Sequence, residues 1–217
     1  MEELFKLGGP VMWPLTALSI FVLAGIIERC LFWFNLLRQE TKTTKNILTI
    51  AHQDLAIAAD YAKAANKTPV GRFLHAPLAL ENPDPDLFRL ALESAADEEL
   101  SNMMRGEKLL EAAITLAPLL GLLGTVTGLI ISFSSLKVGD TVANAKTGNI
   151  AQGIGEALIT TASGLIVAII ASGFHRLFLA FHAGQVKLFT KAGNELELLY
   201  RQAWQRQQKN EKSESIG

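Results

Sequence analysis

The hydrophobic positions of this chain are concentrated in three stretches that carry no charged residue. They cover residues 7–27, 112–136 and 157–174, which are 21, 25 and 18 residues long. A helix needs about 20 mainly apolar residues to cross the hydrocarbon core of a bilayer, with a usable range of about 17–25. The pattern therefore predicts an all-α integral membrane protein with three transmembrane helices. Acidic residues before the first stretch and Glu28 after it favour a retained anchor over a cleaved signal peptide.

Lysine and arginine residues predict how the three spans run through the membrane. Of the 20 such residues, ten lie in residues 28–111 and seven in residues 175–217, whereas the opposite side has only Lys6, Lys137 and Lys146. Because basic residues accumulate on the cytoplasmic side of a membrane protein, we expect an external N-terminus and a cytoplasmic C-terminus.

These spans and charges divide the chain into seven predicted segments. We predict an external N-terminus (1–9), transmembrane helix 1 (10–34), a cytoplasmic helical loop (35–111), transmembrane helix 2 (112–136), a periplasmic hairpin (137–155), transmembrane helix 3 (156–175) and a cytoplasmic C-terminal helix and tail (176–217).

Helical spacing of apolar residues continues outside the membrane. Residues 40–67 have this spacing. Four prolines in residues 69–85 then predict a break in the helical pattern. From Asp86 the pattern runs without an obvious stop into span two, and span three continues in the same way toward the C-terminus. We therefore expect two long helices that extend from the membrane into the cytoplasm.

The second and third spans each have one face of small residues and one of large aliphatic residues. On a helical wheel, Ala117, Gly121, Gly124, Thr125, Gly128 and Ser132 share an arc of span two, and Thr160, Thr161, Ser163, Gly164, Ala168 and Ala171 share a half of span three. Small residues allow membrane helices to approach closely, so packing is the first expectation for Gly121, Gly124, Gly128 and Gly164. For the hydroxyls, a bond to the carbonyl of the same helix is an equal alternative to a functional role.

No ionisable side chain lies within the second or third hydrophobic stretch, and Glu156 stands at the end of the third. A threonine hydroxyl can donate and accept hydrogen bonds but does not titrate near neutral pH. If protons cross here, another chain must supply the titrating carboxylate. Three spans are also too few to enclose a lumen, so we expect the chain to assemble with copies of itself, with a partner, or with both.

Three segments carry a resemblance to a known family. GGPVMWPLTALSIFVLAGIIER (8–29), APLLGLLGTVTGLIISF (117–133) and GIGEALITTASGLIVAI (153–169) resemble the three spans of the MotA/TolQ/ExbB proton channel family, and are most similar to its ExbB branch. The resemblance implies a pentameric ring around a dimer of a single-span partner like ExbD or TolR. That partner carries the titrating aspartate, and the complex drives a transducer like TonB or TolA.

The resemblance also implies positions for the proton pathway. Thr125 and Thr161 match the pore-facing threonines of the family, and Glu156 matches the acidic residue at the outer mouth of span three. It further implies a proton-driven motor subunit of the bacterial inner membrane that energises outer-membrane import. A TolQ-like role in envelope integrity or cell division, and a non-conducting membrane scaffold, remain alternatives.

Composition excludes several other classes. The net charge of −1 gives no basic field for nucleic acid, and a single cysteine, Cys30, excludes an internal disulfide framework. We expect no metal site, since the four histidines are scattered without ligand spacing, and no organic cofactor. We also expect no enzyme activity, because no catalytic set of side chains lies within the spans.

Overall fold

The computed structural model describes residues 9–134 and 147–214, and every regular element in these ranges is a helix. The six helices are α1 (Met12–Ala51), α2 (Leu55–Ala64), α3 (Pro69–Leu78), α4 (Pro85–Met103), α5 (Glu107–Ser134) and α6 (Thr147–Glu214). Most of the expected 137–155 hairpin and residues 1–8 of the expected external N-terminus lie outside the described residues.

Three of these helices, α1, α5 and α6, are long and apolar enough to cross a membrane. The prediction of an all-α membrane protein with three spanning helices is confirmed for the described residues. The segment limits given above concern the position of the bilayer, and they stay predictions.

One of the two expected long helices is present, since α6 continues through the third span to Glu214, whereas the other is interrupted. α4 ends at Met103 and α5 begins at Glu107, so no continuous helix runs from Asp86 into the second span. Gly106 lies between them with φ +89°, a conformation that glycine adopts without strain. The Arg29 guanidinium lies against this glycine, where a Cβ would be within 2.6 Å of Nε. The long helices are therefore α1, with 40 residues, and α6, with 68.

The proline-rich segment contains the expected interruptions, at residues 65–68 and 79–84, but it also forms a helix between them. α3 begins at Pro69, directly after Thr68, whose hydroxyl accepts a hydrogen bond from Gly71 N at 3.1 Å. Proline is favoured at the first position of a helix, because the N–H it lacks would have no partner there. α4 begins in the same way at Pro85, after Asp84. Two of the prolines thus start helices.

The chain divides into two compact units. The first unit contains α1 up to Cys30 and residues Gly106–Phe178; the second contains Leu31–Arg105 and the chain from Leu179 onward. The first unit thus holds the three apolar segments.

An aromatic core holds the second unit together. Phe73 of α3 stacks on Phe189 of α6 with ring centroids 4.6 Å apart, and Phe88 of α4 stacks on Tyr200 of α6 at 4.0 Å. Trp33 of α1 is 1% exposed. Burial of such rings contributes about 1.5–3 kcal/mol each, so this core fixes α3 and α4 on α6.

An ion pair joins α3 to α4 in the second unit. The Arg72 guanidinium donates to both carboxylate oxygens of Glu99 at 2.5 Å and to the carbonyl of Asn66 at 2.9 Å. The Glu99 side chain is 8% exposed and that of Arg72 is 45% exposed. The pair is therefore buried on its acidic side and partly hydrated on its basic side.

We expect Arg72→Met to lower the free energy of unfolding by about 2 kcal/mol, because it leaves a buried carboxylate without its partner. Partial exposure of Arg72 keeps the loss below the roughly 3–5 kcal/mol of a fully buried pair. Arg89→Met is the matched control, since its pair with Glu93 on α4 is exposed at both ends. That variant should change stability by less than about 0.5 kcal/mol. Denaturant titration in detergent gives both values, and equal losses would contradict the assignment.

Candidate functional site

The contact between α5 and α6 in the first unit is made by small residues. A Cβ on Gly121 would lie 3.0 Å from Cα of Thr161, and a Cβ on Gly128 would lie 2.9 Å from the carbonyl oxygen of Gly153. Gly124 faces the side chain of Thr160, and Gly164 faces the carbonyl of Ala117. All four glycines singled out in the sequence thus lie on this contact, where the backbones approach too closely for larger side chains.

The rest of the contact is equally small and closed. Its other fully or nearly buried residues, each at most 8% exposed, are Ala117, Ser132, Ala157, Thr160, Ala168 and Ala171. The large aliphatic residues point away: Leu119, Leu122, Val126 and Ile130 of α5, and Leu158, Ile166 and Ile169 of α6, are each more than half exposed. Within the single chain, this leaves a broad apolar surface that suits lipid or another protein.

The beginning of α1 completes this packing. Met12 and Leu15 form a buried cluster with Ala117 of α5 and Ala168 of α6. Leu18, Leu120 and Val167 pack against the cluster. Val167, the one large residue on the small half of span three, therefore contacts this three-helix core.

The two threonines proposed for the pathway have different hydrogen bonds. The Thr161 hydroxyl of α6 donates across the helix contact to the Gly121 carbonyl of α5, at 2.9 Å. The Thr125 hydroxyl donates to the Leu122 carbonyl of its own helix at 2.7 Å. Thr125 follows Gly121 by four residues and so lies about one turn along the same face. The two threonines are neighbours by position, without a bond between their hydroxyls.

Glu156 lies beside the start of α1. Its carboxylate occupies the space where a side chain on Gly9 would stand, and Gly9 has φ +66°. Glu156 is one turn before Thr160, whose hydroxyl donates to the Glu156 carbonyl at 2.8 Å. The acidic group is therefore at one end of the contact between α5 and α6, and Thr161 lies further along it.

Two other hydroxyls of α5 bond carbonyls of their own helix. Thr127 donates to the Leu123 carbonyl at 3.0 Å, and Ser132 donates to the Gly128 carbonyl at 2.8 Å. Such bonds satisfy a hydroxyl without requiring a further role. The hydrogen bond of the Thr161 hydroxyl, in contrast, joins α6 to α5.

Sequence reasoning missed one part of this arrangement. Thr160 is completely buried and faces Gly124, although only its neighbour Thr161 was singled out. The spacing carried a signal, because Thr160, Gly164 and Ala168 recur every four residues and must share a face. The motif Thr160-Thr161 thus places one side chain fully within the contact and leaves the other half-buried.

The threonines of this site provide hydrogen-bonding groups. The described part of the chain holds no group of three or more His, Cys, Asp or Glu side chains that could bind a metal ion. A threonine hydroxyl offers a donor and an acceptor and keeps its proton near neutral pH. The two threonine hydroxyls can therefore position or solvate a titrating group.

Comparison with known proteins agrees with these features. Residues 65–191 match the family model described as the MotA/TolQ/ExbB proton channel family. This range includes α3, α4, α5 and the first two thirds of α6.

Several known proteins are similar to this chain over most of its length. The ExbB-like protein 1 of Synechocystis sp. is 48% identical over 204 residues, which cover 94% of this chain and 80% of that protein. The ExbB-like protein 3 of the same organism is 38% identical, with 89% and 92% covered. The biopolymer transport protein exbB1 of Vibrio cholerae is 30% identical, with 78% and 75% covered.

Proposed function

The chain belongs to the MotA/TolQ/ExbB proton channel family, and we propose that it is the ring-forming subunit of an inner-membrane motor driven by the proton-motive force. This family is one of channels and transport proteins, and the chain is a multi-pass membrane protein. In the proposed motor it works with an ExbD-like single-span partner and energises a TonB-like protein for outer-membrane import.

The observation that carries this proposal is the Thr161 hydrogen bond to Gly121, which joins two hydrophobic stretches, 112–136 and 157–174, that contain no ionisable residue. A charged side chain at membrane depth is costly, and it is retained where it has a function. A proton pathway along α5 and α6 therefore needs a carboxylate from a partner helix, and the hydroxyls of Thr125 and Thr161 supply hydrogen-bonding groups on the way. Glu156 stands at the outer entrance.

The proposed assembly also accounts for the exposed aliphatic residues. We place this chain in a homopentamer around two copies of the partner. Several copies are needed because the three spans of one chain cannot surround the membrane helices of the partner. Closed cyclic symmetry is the usual form of such assemblies. In this arrangement the N-terminus faces the periplasm, and the loop after α1 and the C-terminus face the cytoplasm of a bacterial cell. The bulky residues of α5 and α6 then contact lipid, neighbouring subunits or the partner.

The alternative with a specific observation behind it is a non-conducting scaffold. The hydroxyls of Thr125, Thr127 and Ser132 all bond within their own helix, as they would in a contact that serves packing alone. A TolQ-like role would use the same site with a TolR-like partner and a TolA-like transducer.

Native mass spectrometry of the detergent-purified chain tests the assembly. The chain should form a five-subunit ring, and co-expression with a single-span partner that carries a membrane aspartate should add two partner copies. Replacing that aspartate by asparagine leaves the partner's span intact and serves as the control for capture without proton transfer. A monomer or dimer that captures no partner would contradict the proposed assembly.

A further inference from the structure

A carboxylate that is not part of the site described above is buried in the second unit. Glu40 of α1 is 1% exposed. It stands on the same helix face as Trp33, Leu36 and Ile47, which are all buried. Such a position normally takes an apolar residue, since a charge buried without a full set of partners is unfavourable.

The Glu40 carboxylate has only part of the hydrogen bonding that an ionised group requires. Its Oε1 accepts a hydrogen bond from the Val70 N–H, in the first turn of α3, at 3.2 Å. Its Oε2 is buried and has no hydrogen-bond partner among the described residues. A full complement of donors would favour the charged form, whereas one bond from a helix N-terminus leaves burial uncompensated.

The nearest charges are already engaged with each other. Arg72 of α3 gives its hydrogen bonds to Glu99 of α4 and to a backbone carbonyl. Glu99 repels a charged Glu40, and Arg72 attracts it. Lys67 lines the same groove as Glu40, just before α3. On α6, the titratable His182 bonds the carbonyl of Leu100, next to Glu99, at 3.2 Å.

These surroundings favour the neutral acid. Burial raises the pKa of Glu40 to about 7, and repulsion from Glu99 acts in the same direction. The hydrogen bond from Val70 N and the attraction of Arg72 act in the opposite direction and are outweighed. Glu40 therefore changes its charge close to physiological pH, which ordinary carboxyl groups do not.

We propose that Glu40 is a proton-operated clasp between α1 and α3, which closes when the carboxyl group binds a proton and loosens when it is charged. The hydrogen bond to Val70 N is compatible with both forms, because a protonated carboxyl still has an acceptor oxygen. When the Glu40 carboxyl loses its proton, a charge without sufficient partners lies in the core of the second unit. Movement of α3 away from α1 would let water reach this carboxylate. The clasp concerns the second unit alone and does not require proton conduction.

The sign of the pH dependence follows from proton binding. The closed form, with the pKa of Glu40 at about 7, binds more protons than an open form with the ordinary value of 4.5. The stability contributed by this group is therefore fully present below about pH 4.5 and is lost as pH rises through about 7. In the topology proposed above, the pH of the cytoplasm would then set how tightly this unit packs.

Hydrogen–deuterium exchange of the full chain in lipid nanodiscs tests the clasp. Exchange times at pH 6 and pH 8 are scaled for the intrinsic base catalysis of exchange. In wild-type protein, the protection factors of peptides from α3 should be about tenfold higher at pH 6 than at pH 8. Stability falls about tenfold per pH unit up to the pKa of about 7 and then levels off, because Glu40 is charged in both the closed and the open form above that pH. A wild-type profile that is flat in this range would overturn the proposal, whatever the variants do.

Two variants separate Glu40 from its neighbours. Glu40→Gln mimics the protonated group, so α3 should be strongly protected at both pH values without the tenfold difference. His182→Gln removes the histidine that bonds the Leu100 carbonyl of α4 and should retain the wild-type pH dependence. The same pH dependence in Glu40→Gln as in wild type, or its loss in His182→Gln, would assign the effect to another group. If Glu40→Gln does not fold, the wild-type and His182→Gln profiles still decide the outcome.

Discussion

Gly164→Ala should destabilise the contact between α5 and α6 by about 3 kcal/mol, at the upper end of the usual cost of overpacking. The added Cβ would overlap the carbonyl oxygen of Ala117 and lie 3.2 Å from Cα of Gly121. Both are backbone atoms, so a change of side-chain rotamer cannot relieve the overlap. The two helices must move apart, and the hydrogen bond from Thr161 to Gly121 would lengthen with them.

Gly173→Ala is the matched control for this substitution. Gly173 lies on the same helix, and a Cβ there would have no atom of the chain within 4 Å. Since alanine is the better helix former, we expect this variant to be neutral or slightly stabilised. Unfolding in detergent, followed by circular dichroism, compares the two variants. Equal stabilities would show that the helices are not in close contact at Gly164.

Thr161→Val should abolish most proton-driven activity while it leaves the fold nearly intact. Valine has the shape of threonine without the hydroxyl, so the variant loses the hydrogen bond to the Gly121 carbonyl and little else. Hydrogen bonds between membrane helices average about 0.6 kcal/mol, and we expect a stability loss below about 1 kcal/mol. We expect proton flux to fall by at least about tenfold, a rise of about 1.4 kcal/mol in the barrier.

Proton flux is measured in proteoliposomes that contain the chain and its single-span partner, and unfolding is measured on the same preparations. Thr127→Val is the matched control, because the Thr127 hydroxyl bonds the carbonyls of Leu123 and Gly124 on its own helix. That variant should retain its flux. Wild-type flux in Thr161→Val would remove this hydroxyl from the pathway. Parallel losses of flux and stability would show that the Thr161 hydroxyl acts by holding α5 and α6 together and not as a group of the pathway.

Much of the first unit could be predicted from the order of residues alone. In the bilayer, the backbone must satisfy its own hydrogen bonds. An uncharged stretch of about 20 residues does so by forming a helix. The four glycines of the helix contact could be named for a related reason. Helical periodicity assigns residues to faces, and in lipid the face of small residues is the one that allows close packing.

The second unit was predicted less well, because the signals there are local and compete with one another. Prolines at 69 and 85 were interpreted as breaks, although each also fits the first position of a helix. A proline starts a helix where the residue before it can accept hydrogen bonds from the free N–H groups of the first turn. Thr68 and Asp84 do so here. Gly106 was passed over within an apparently continuous helical pattern, although glycine is the usual residue where a helix ends.

The sequence by itself determined the three apolar helices, the faces of α5 and α6, and the absence of a titrating group within residues 112–136 and 157–174. These properties depend on spacing along one helix and on the solvent around it. Only the tertiary structure decided that Thr161 bonds Gly121 while Thr125 bonds its own helix, and that Glu156 lies beside Gly9. The tertiary structure also decided that Glu40 is buried and accepts a hydrogen bond from Val70 N. Most of these contacts join residues 30 or more positions apart in the chain, and the bond of Thr125 depends on the direction in which its side chain points. Periodicity along a single helix carries no information on distant contacts or on side-chain direction.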